Sequence, residues 1–257
     1  MAVKLNKGKI NKIRLDSFIV EKEFVKSRQR AKSLIMAGKV LVNDVPVDKP
    51  GTLISDTANV IVKQDDNPFV SRGGLKLEEA LKRLPILVKG FTCLDIGAST
   101  GGFTDCLLQY GAKKVYAVDV GYGQFDWALR QDSKVVVIER TNIRHMPYEV
   151  INEKVDLVVA DTSFISLKIV IPSAQKFMRA DTKILALIKP QFEAGKKNVG
   201  KGGVVKDPEI RKKVIQDLSL FFQEKGYQVN QVVPSPILGP KGNKEYILSL
   251  TFKENIK

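Results

Sequence analysis

Phe91-Thr92-Cys93-Leu94-Asp95-Ile96-Gly97-Ala98-Ser99-Thr100-Gly101-Gly102-Phe103 is the stretch on which the fold turns. Residues 91–96 read as a buried strand. The glycine-rich loop 97–102 then leads into a helix that runs to about Tyr110. A glycine-rich turn between a first strand and the next helix lets backbone N–H groups approach a ligand closely. Downstream, strands and helices keep alternating. Residues 114–119, 135–138, 155–160 and 184–188 read as the second to fifth strands. Residues 208–225 read as a long helix, and 228–233 with 246–252 as a closing pair of strands. Such alternation predicts an α/β domain of Rossmann-like type around a parallel sheet.

The whole chain has 257 residues, 44% hydrophobic and 27% charged, which fits a soluble globular protein of one or two domains. It has no run of about 20 apolar residues, so no membrane span is expected. Its first residues lack an apolar signal core, which points to the cytoplasm. Cys93, Cys106 and His145 are the only cysteines and histidine. A disulfide scaffold and a Cys/His zinc site are therefore excluded, and no metal is expected. A single histidine also disfavours a Ser/His/Asp triad.

The charge is unevenly placed. Lys and Arg number 42 against 28 Asp and Glu, for a net charge of +14. Residues 1–63 hold 13 of the cations and 6 of the anions, so a quarter of the chain carries half of the excess. Lys4, Lys7, Lys9, Lys12 and Arg14 form an arm that phosphate would attract. A first short helix follows from Leu15, with Asp16 read as a helix-start residue favoured by the macrodipole. Ser27 is the expected N-cap of a second helix through Ala37, with Gly38 as its stop. Val40-Leu41-Val42, the turn Asn43-Asp44 and residues 59–62 then read as a small sheet.

Arg14-Leu15-Asp16, Ser27-Arg28-Gln29-Arg30-Ala31 and Gly38-Lys39-Val40-Leu41-Val42-Asn43 together resemble the small RNA-binding domain with the αL motif. That domain is known from a small-subunit ribosomal protein and from pseudouridine synthases. The resemblance implies RNA contacts by Arg14, Arg28, Arg30, Lys32 and Lys39. Residues 1–63 are thus read as arm and RNA-binding domain, 64–69 as linker, and 70–257 as the α/β domain.

In that larger domain the loop is neither G-x-G-x-x-G nor a P-loop, since Phe103 stands where a P-loop needs lysine. NAD is accordingly disfavoured. Asp119 ends the second strand 22 residues after Gly97. There a carboxylate can accept both hydroxyls of a ribose. The stretch Asp95 to Phe103 resembles the first motif of class I S-adenosylmethionine methyltransferases. This resemblance implies that S-adenosylmethionine is held by Asp95, Gly97, Ala98, Ser99, Gly101, Gly102, Phe103, Asp119, Val120, Asn142 and Asp161.

Asp161 follows the fourth strand and Lys189 the fifth, so both should face the crevice at the carboxyl ends of the strands. Lys76 lies in Ser71-Arg72-Gly73-Gly74-Leu75-Lys76, at the start of a helix striped by Leu77, Ala80, Leu81 and Leu84. Glu245 immediately precedes the last strand. Lys76, Asp161, Lys189 and Glu245 in that order resemble the catalytic tetrad of FtsJ-type ribose 2′-O-methyltransferases. With the small domain in front, residues 14–252 resemble the TlyA family, also labelled hemolysin A. The resemblance implies methylation of a cytidine 2′-hydroxyl in ribosomal RNA, so the expected partners are ribosomal RNA or ribosomal subunits.

The chemistry suits these residue types. A methyl sulfonium is already an activated electrophile, so the enzyme must align an oxygen and help remove its proton. Lys189 is the candidate for that help, as a base or as a cation beside the developing alkoxide. Cytosine C5 methylation needs a cysteine nucleophile, whereas Cys93 and Cys106 read as core. Base amino methylation commonly uses an Asp/Asn-Pro-Pro-aromatic turn, which Asp161-Thr162-Ser163-Phe164 is not. Lys196 and Lys197 sit in a basic, glycine-rich segment after Lys189, placed to contact RNA backbone. Two further readings stay open: a membrane-active hemolysin, and a non-catalytic RNA-binding assembly factor.

Overall fold

The computed structural model describes residues 11–25, 27–63 and 67–254. Lys4, Lys7 and Lys9 of the basic arm, and Gln64-Asp65-Asp66 of the expected linker, lie outside the described residues. The chain forms two compact units that divide between Pro68 and Phe69.

In the first unit β1 (Lys12–Arg14) leads into α1 (Leu15–Glu21), and α2 (Arg28–Met36) follows. Ser27 caps α2 from an extended backbone, its Oγ accepting from Arg30 N at 3.2 Å. Then come β2 (Val40–Val42), β3 (Val45–Pro46), β4 (Leu53–Ser55) and β5 (Val60–Val62). β3, β2 and β5 make an antiparallel sheet, while β4 pairs with β1. Asn43 and Asp44 both take positive φ, 48° and 65°, as a two-residue hairpin with the strand twist requires. Leu15, Phe18 and Ile19 of α1 share one apolar core with Ala31, Leu34 and Ile35 of α2.

Asp16 departs from its expected role. It does lie in the first turn of α1, but its side chain is fully buried. Arg14 grips it through two hydrogen bonds of 3.0 Å, and Arg28 Nη2 adds a third at 3.2 Å. The Arg14 hydrogen bond, with help from Arg28, holds the carboxyl down at about 2. Two expected RNA-contacting arginines are therefore anchored at one buried anion, with their side chains still 49% and 56% exposed.

The second unit opens with α3 (Gly73–Arg83), β6 (Thr92–Ile96), α4 (Gly102–Gln109), β7 (Lys114–Val118), the short α5 (Trp127–Arg130) and β8 (Val135–Ile138). It continues with β9 (Val155–Ala160), α6 (Leu167–Ser173), β10 (Met178–Ile188), α7 (Pro190–Glu193), α8 (Pro208–Glu224), β11 (Tyr227–Pro234) and β12 (Tyr246–Phe252). The sheet order is β11-β12-β10-β9-β6-β7-β8. β10, β9, β6, β7 and β8 are parallel; β12 inserts antiparallel between β10 and β11. Strand order therefore reverses between β6 and β9, the switch point at which an open α/β sheet leaves a crevice.

Strand side chains alternate between two cores, as a sheet covered on both faces requires. Leu94, Ile96, Val158, Ala160, Ile184 and Ala186 pack with α6 and α8. Cys93, Leu157, Val159, Leu185 and Leu187 pack with α3 and α4, where Leu77, Ala80, Leu81 and Leu84 form the expected stripe. β10 starts earlier than expected: Met178 pairs with Val155, and pairing resumes at Lys183 after an irregularity that contains Asp181 at φ 64°. Polar, turn-like residues at 179–182 hide that first segment from a reading based on apolar runs.

Candidate active site

Strand register builds the site. Ile96 is opposite both Val118 and Ala160, so Gly97, Asp119 and Asp161 leave three neighbouring parallel strands at the same level. Ile188 is opposite Tyr246 across an antiparallel pair, so Lys189 exits where Glu245 enters. The sixth contributor comes from α3, whose buried face carries Lys76.

The four charged groups form two ion pairs. Lys189 Nζ lies 2.6 Å from Asp161 Oδ1, and Lys76 Nζ lies 2.6 Å from Glu245 Oε2. Both lysine side chains are about nine-tenths buried, and that of Glu245 is wholly buried. Each pair is neutral in sum, which limits the penalty for removing these charges from water. Lys189 Nζ also donates to Ser163 Oγ at 2.8 Å. Glu245 lies against Gly239 so closely that a Cβ there would stand 2.0 Å from Oε1. A side chain at Gly239 would have to displace the Glu245 carboxylate from this position.

Two cavities adjoin these pairs. The larger, of about 510 Å³, is lined by Gly97, Ser99, Asp119, Val120, Asn142 and Asp161 among the expected residues, with Ser163, Ile143 and Val170 beside them. The smaller, of about 140 Å³, is lined by Lys76, Gly97, Ala98, Ser99, Gly102, Phe103 and Asp161. Gly97, Ser99 and Asp161 border both. Lys189 and Glu245 line neither cavity. Each is represented there by a partner, Asp161 and Ser163 in one case and Lys76 in the other.

Asp119 also ties the loops together. Its Oδ2 accepts from Ser99 N at 2.8 Å, and its Oδ1 from Gly121 N at 2.6 Å and Gln124 Nε2 at 3.3 Å. Two expected cofactor residues do not reach the cavities. Gly101, at φ 94°, is a packing glycine, because a Cβ there would meet Leu129 at 2.5 Å and Phe125 at 3.1 Å. Asp95 is fully buried beneath the loop, accepting from Thr104 Oγ1 at 2.7 Å while Oδ1 has no hydrogen-bond partner. Burial pushes its carboxyl up to about 7.

The loop after β9 is clasped by α7. Phe164 takes φ 64°, is 90% exposed, and rests on Phe192 at 4.9 Å between ring centroids. Glu193 accepts from Ser166 Oγ at 2.7 Å and Leu167 N at 2.8 Å, which caps the start of α6. Its burial raises its carboxyl above the ordinary range. Asn243, also buried, donates to Gly203 O and Pro240 O and accepts from Val205 N. In sequence Phe164, Phe192, Glu193 and Asn243 lie within a few residues of Asp161, Lys189 and Glu245, which does not distinguish a clasp from a spacer.

The remaining expected residues fall as follows. Lys32, Lys196 and Lys197 are exposed, while Arg30 and Lys39 are partly so. Cys93 and Cys106 are buried free thiols, and burial raises both well above their ordinary range, the opposite of a nucleophile's requirement. His145 is exposed and lines neither cavity. Among the described residues, no group of three or more His, Cys, Asp or Glu is placed to hold a metal. No helix among them is long and apolar enough to cross a membrane.

Comparison with known proteins points to one family. Residues 69–252 match the FtsJ-like methyltransferase family, and residues 13–60 match the S4 domain. The chain is 49% identical over 238 residues to a Mycobacterium tuberculosis protein named 16S/23S rRNA (cytidine-2′-O)-methyltransferase TlyA, covering 92% of this chain and 89% of that one. It is 43% identical over 237 residues to hemolysin A of Brachyspira hyodysenteriae, covering 91% and 98%. A solved, hemolysin-labelled structure from Streptococcus thermophilus superimposes with a TM-score of 0.75 at 39% identity, covering 96% of this chain and 90% of that one.

Proposed function

The chain belongs to the TlyA family of FtsJ-like methyltransferases, and from that premise we propose that it transfers a methyl group from S-adenosylmethionine to the 2′-hydroxyl of a cytidine in ribosomal RNA. The observation that carries this reading is the pairing of Lys189 with Asp161 and of Lys76 with Glu245 beside a crevice at the strand-order switch.

The larger cavity suits a nucleoside. Asp119 offers a carboxylate for a vicinal diol, and Val120, Ile143 and Val170 offer apolar surface for a base. Gly97 and Ser99 continue that surface into the smaller cavity, where the N–H groups of the loop await a charged tail. S-adenosylmethionine, when bound, supplies a methyl group activated by the sulfonium.

Lys189 meets the attacking oxygen. As a neutral amine it takes the hydroxyl proton, and as an ammonium it neutralises the alkoxide as it forms. Asp161 supplies the compensating charge. Lys76 holds the ribose from the other side, and Glu245, buried behind it, compensates its charge. The first unit docks on RNA through Arg14, Arg28, Arg30, Lys32 and Lys39, and Lys196 and Lys197 add phosphate contacts beside the site. Such a protein works where ribosomes are assembled, in the cytoplasm.

The test is methyl transfer from labelled S-adenosylmethionine to ribosomal subunits, followed by mass spectrometry of the nucleosides. Label in 2′-O-methylcytidine is expected. Label on a base, or no transfer to either subunit, would overturn the reading. Leakage of liposomes by the purified protein without any methyl transfer would favour the hemolysin activity named for the Brachyspira relative.

A further inference from the structure

Lys189 Nζ has two oxygen neighbours, and they differ in kind. Asp161 Oδ1 is the nearer, at 2.6 Å, yet it is not aligned as a hydrogen-bond acceptor for any donor among the described residues. The contact with Asp161 is an ion pair without direction. The aligned bond goes to Ser163 Oγ at 2.8 Å. Charge attraction falls off slowly with angle, whereas a hydrogen bond weakens steeply once the donor leaves the line. An amine on a long flexible side chain is therefore turned by Ser163, while Asp161 mainly compensates its charge.

Ser163 is suited to serve as a fixed reference, because its own position does not depend on Lys189. Asp161 at the start of its loop packs against Gly97, where a Cβ would stand 2.7 Å from the Asp161 carbonyl oxygen. On the other side Phe164 is held at φ 64°, a conformation costly for a bulky residue unless its surroundings impose it. Those surroundings are Phe192 against the ring and Glu193 on Ser166 and Leu167. Phe192 and Glu193 belong to α7, which begins directly after Lys189, so one short segment carries both the amine and the clasps on its partner loop.

We propose that Ser163 is a positioning residue that rotates the Lys189 amine so that its remaining substituent direction faces the substrate hydroxyl. The proposal rests on the methyltransferase reading above. Ser163 lines the larger cavity, read above as the cofactor's, whereas Lys189 does not, so its hydroxyl joins the amine to the side from which the methyl group is to be delivered. With the nitrogen tetrahedral, one bond to a fixed oxygen removes rotation about Cε–Nζ and sets where the reactive position points.

The experiment compares wild type, Ser163→Ala and Ser163→Thr on the same ribosomal substrate. It measures single-turnover rate, S-adenosylmethionine Kd, and the Nζ position in crystals of wild type and Ser163→Ala. Ser163→Ala should lose about 10-fold in single-turnover rate at saturating cofactor, on the scale of one hydrogen bond to a charged group, a loss larger than any change in cofactor Kd. Ser163→Thr keeps the hydroxyl and should recover most of the rate. A wild-type rate in Ser163→Ala overturns the proposal, as does a loss that threonine fails to restore. If wild type transfers no methyl, the methyltransferase reading fails, and the crystals decide Ser163 separately. An Nζ that swings into line with Asp161 in Ser163→Ala supports the orienting role; one that stays in place overturns it.

Discussion

Gly97 and Asp161 touch: a Cβ added to Gly97 would stand 2.7 Å from the Asp161 carbonyl oxygen. The first residue after β6 and the first after β9 are thus packed backbone to backbone at the strand-order switch, and the two cavities share both as walls. The site has no slack there, because the contact is with main chain and not with a movable side chain.

Gly97→Ala should therefore disturb the proposed cofactor site directly. Alanine at φ 81° is strained, and its methyl group must displace the Asp161 carbonyl. A stability loss of about 2 kcal/mol is expected, lowering the thermal midpoint by roughly 4–8 °C for a unit of this size. Calorimetry should show S-adenosylmethionine binding weakened by about 10-fold or more. An alanine variant that binds as wild type does would show that the loop relaxes freely.

Lys189→Ala should lower methyl transfer by about 100-fold or more, the scale of general acid–base assistance. Asp161 would then keep its charge without a cation 2.6 Å away. RNA binding should be nearly unchanged, since the S4 domain lies in the other unit. Lys189→Arg separates the two roles, because a guanidinium keeps the charge but does not act as a base at neutral pH. An inactive arginine variant identifies Lys189 as the base, and an active one identifies an electrostatic role.

Asp16→Asn should loosen the first unit, because Arg14 and Arg28 lose their shared anion. A loss of roughly 2 kcal/mol follows from hydrogen bonds between charged partners. The sign with pH is determined by a carboxyl lowered from 3.8 to about 2. Its contribution is complete above the unfolded value and fades as pH falls from about 4 towards 2. Hydrogen exchange at α1 and α2 amides should show a large gap between wild type and variant at pH 6, closing near pH 2. A gap that persists at pH 2 would contradict the ion-pair account.

Asp95→Asn should behave in the opposite way. The folded protein holds the Asp95 proton up to about 7, whereas the unfolded chain releases it near 3.8. Stability through this group is therefore full below pH 4 and declines as pH rises to 7. Asparagine can still accept from Thr104 and carries no charge to bury. Thermal midpoints of the two proteins should diverge in favour of the variant between pH 4 and 7, then run parallel. Parallel curves throughout would show that Asp95 is ionised in the folded state.

The alternation of apolar runs with glycine turns was enough to place β6, β7, β8, β9 and β12 to within about a residue, because strand burial is written in local residue order. Family resemblance then picked out Lys76, Asp161, Lys189 and Glu245, which lie far apart in the chain. Opposite charge and strand-end position already suggest Asp161 beside Lys189 and Glu245 beside Lys76, but local order carries no contact between them. Lys76 meets Glu245 because β12 inserts beside β10, and Lys189 meets Asp161 because β10 lies beside β9. Nor did it reveal that Asp95 lies under the loop, that Gly101 packs against Leu129, or that Asp16 binds two arginines. Periodicity reports which face of an element is buried. It carries no information on what stands opposite that face, and ion pairs, clasps and shifted carboxyls are properties of that second partner, which only strand order and packing supply.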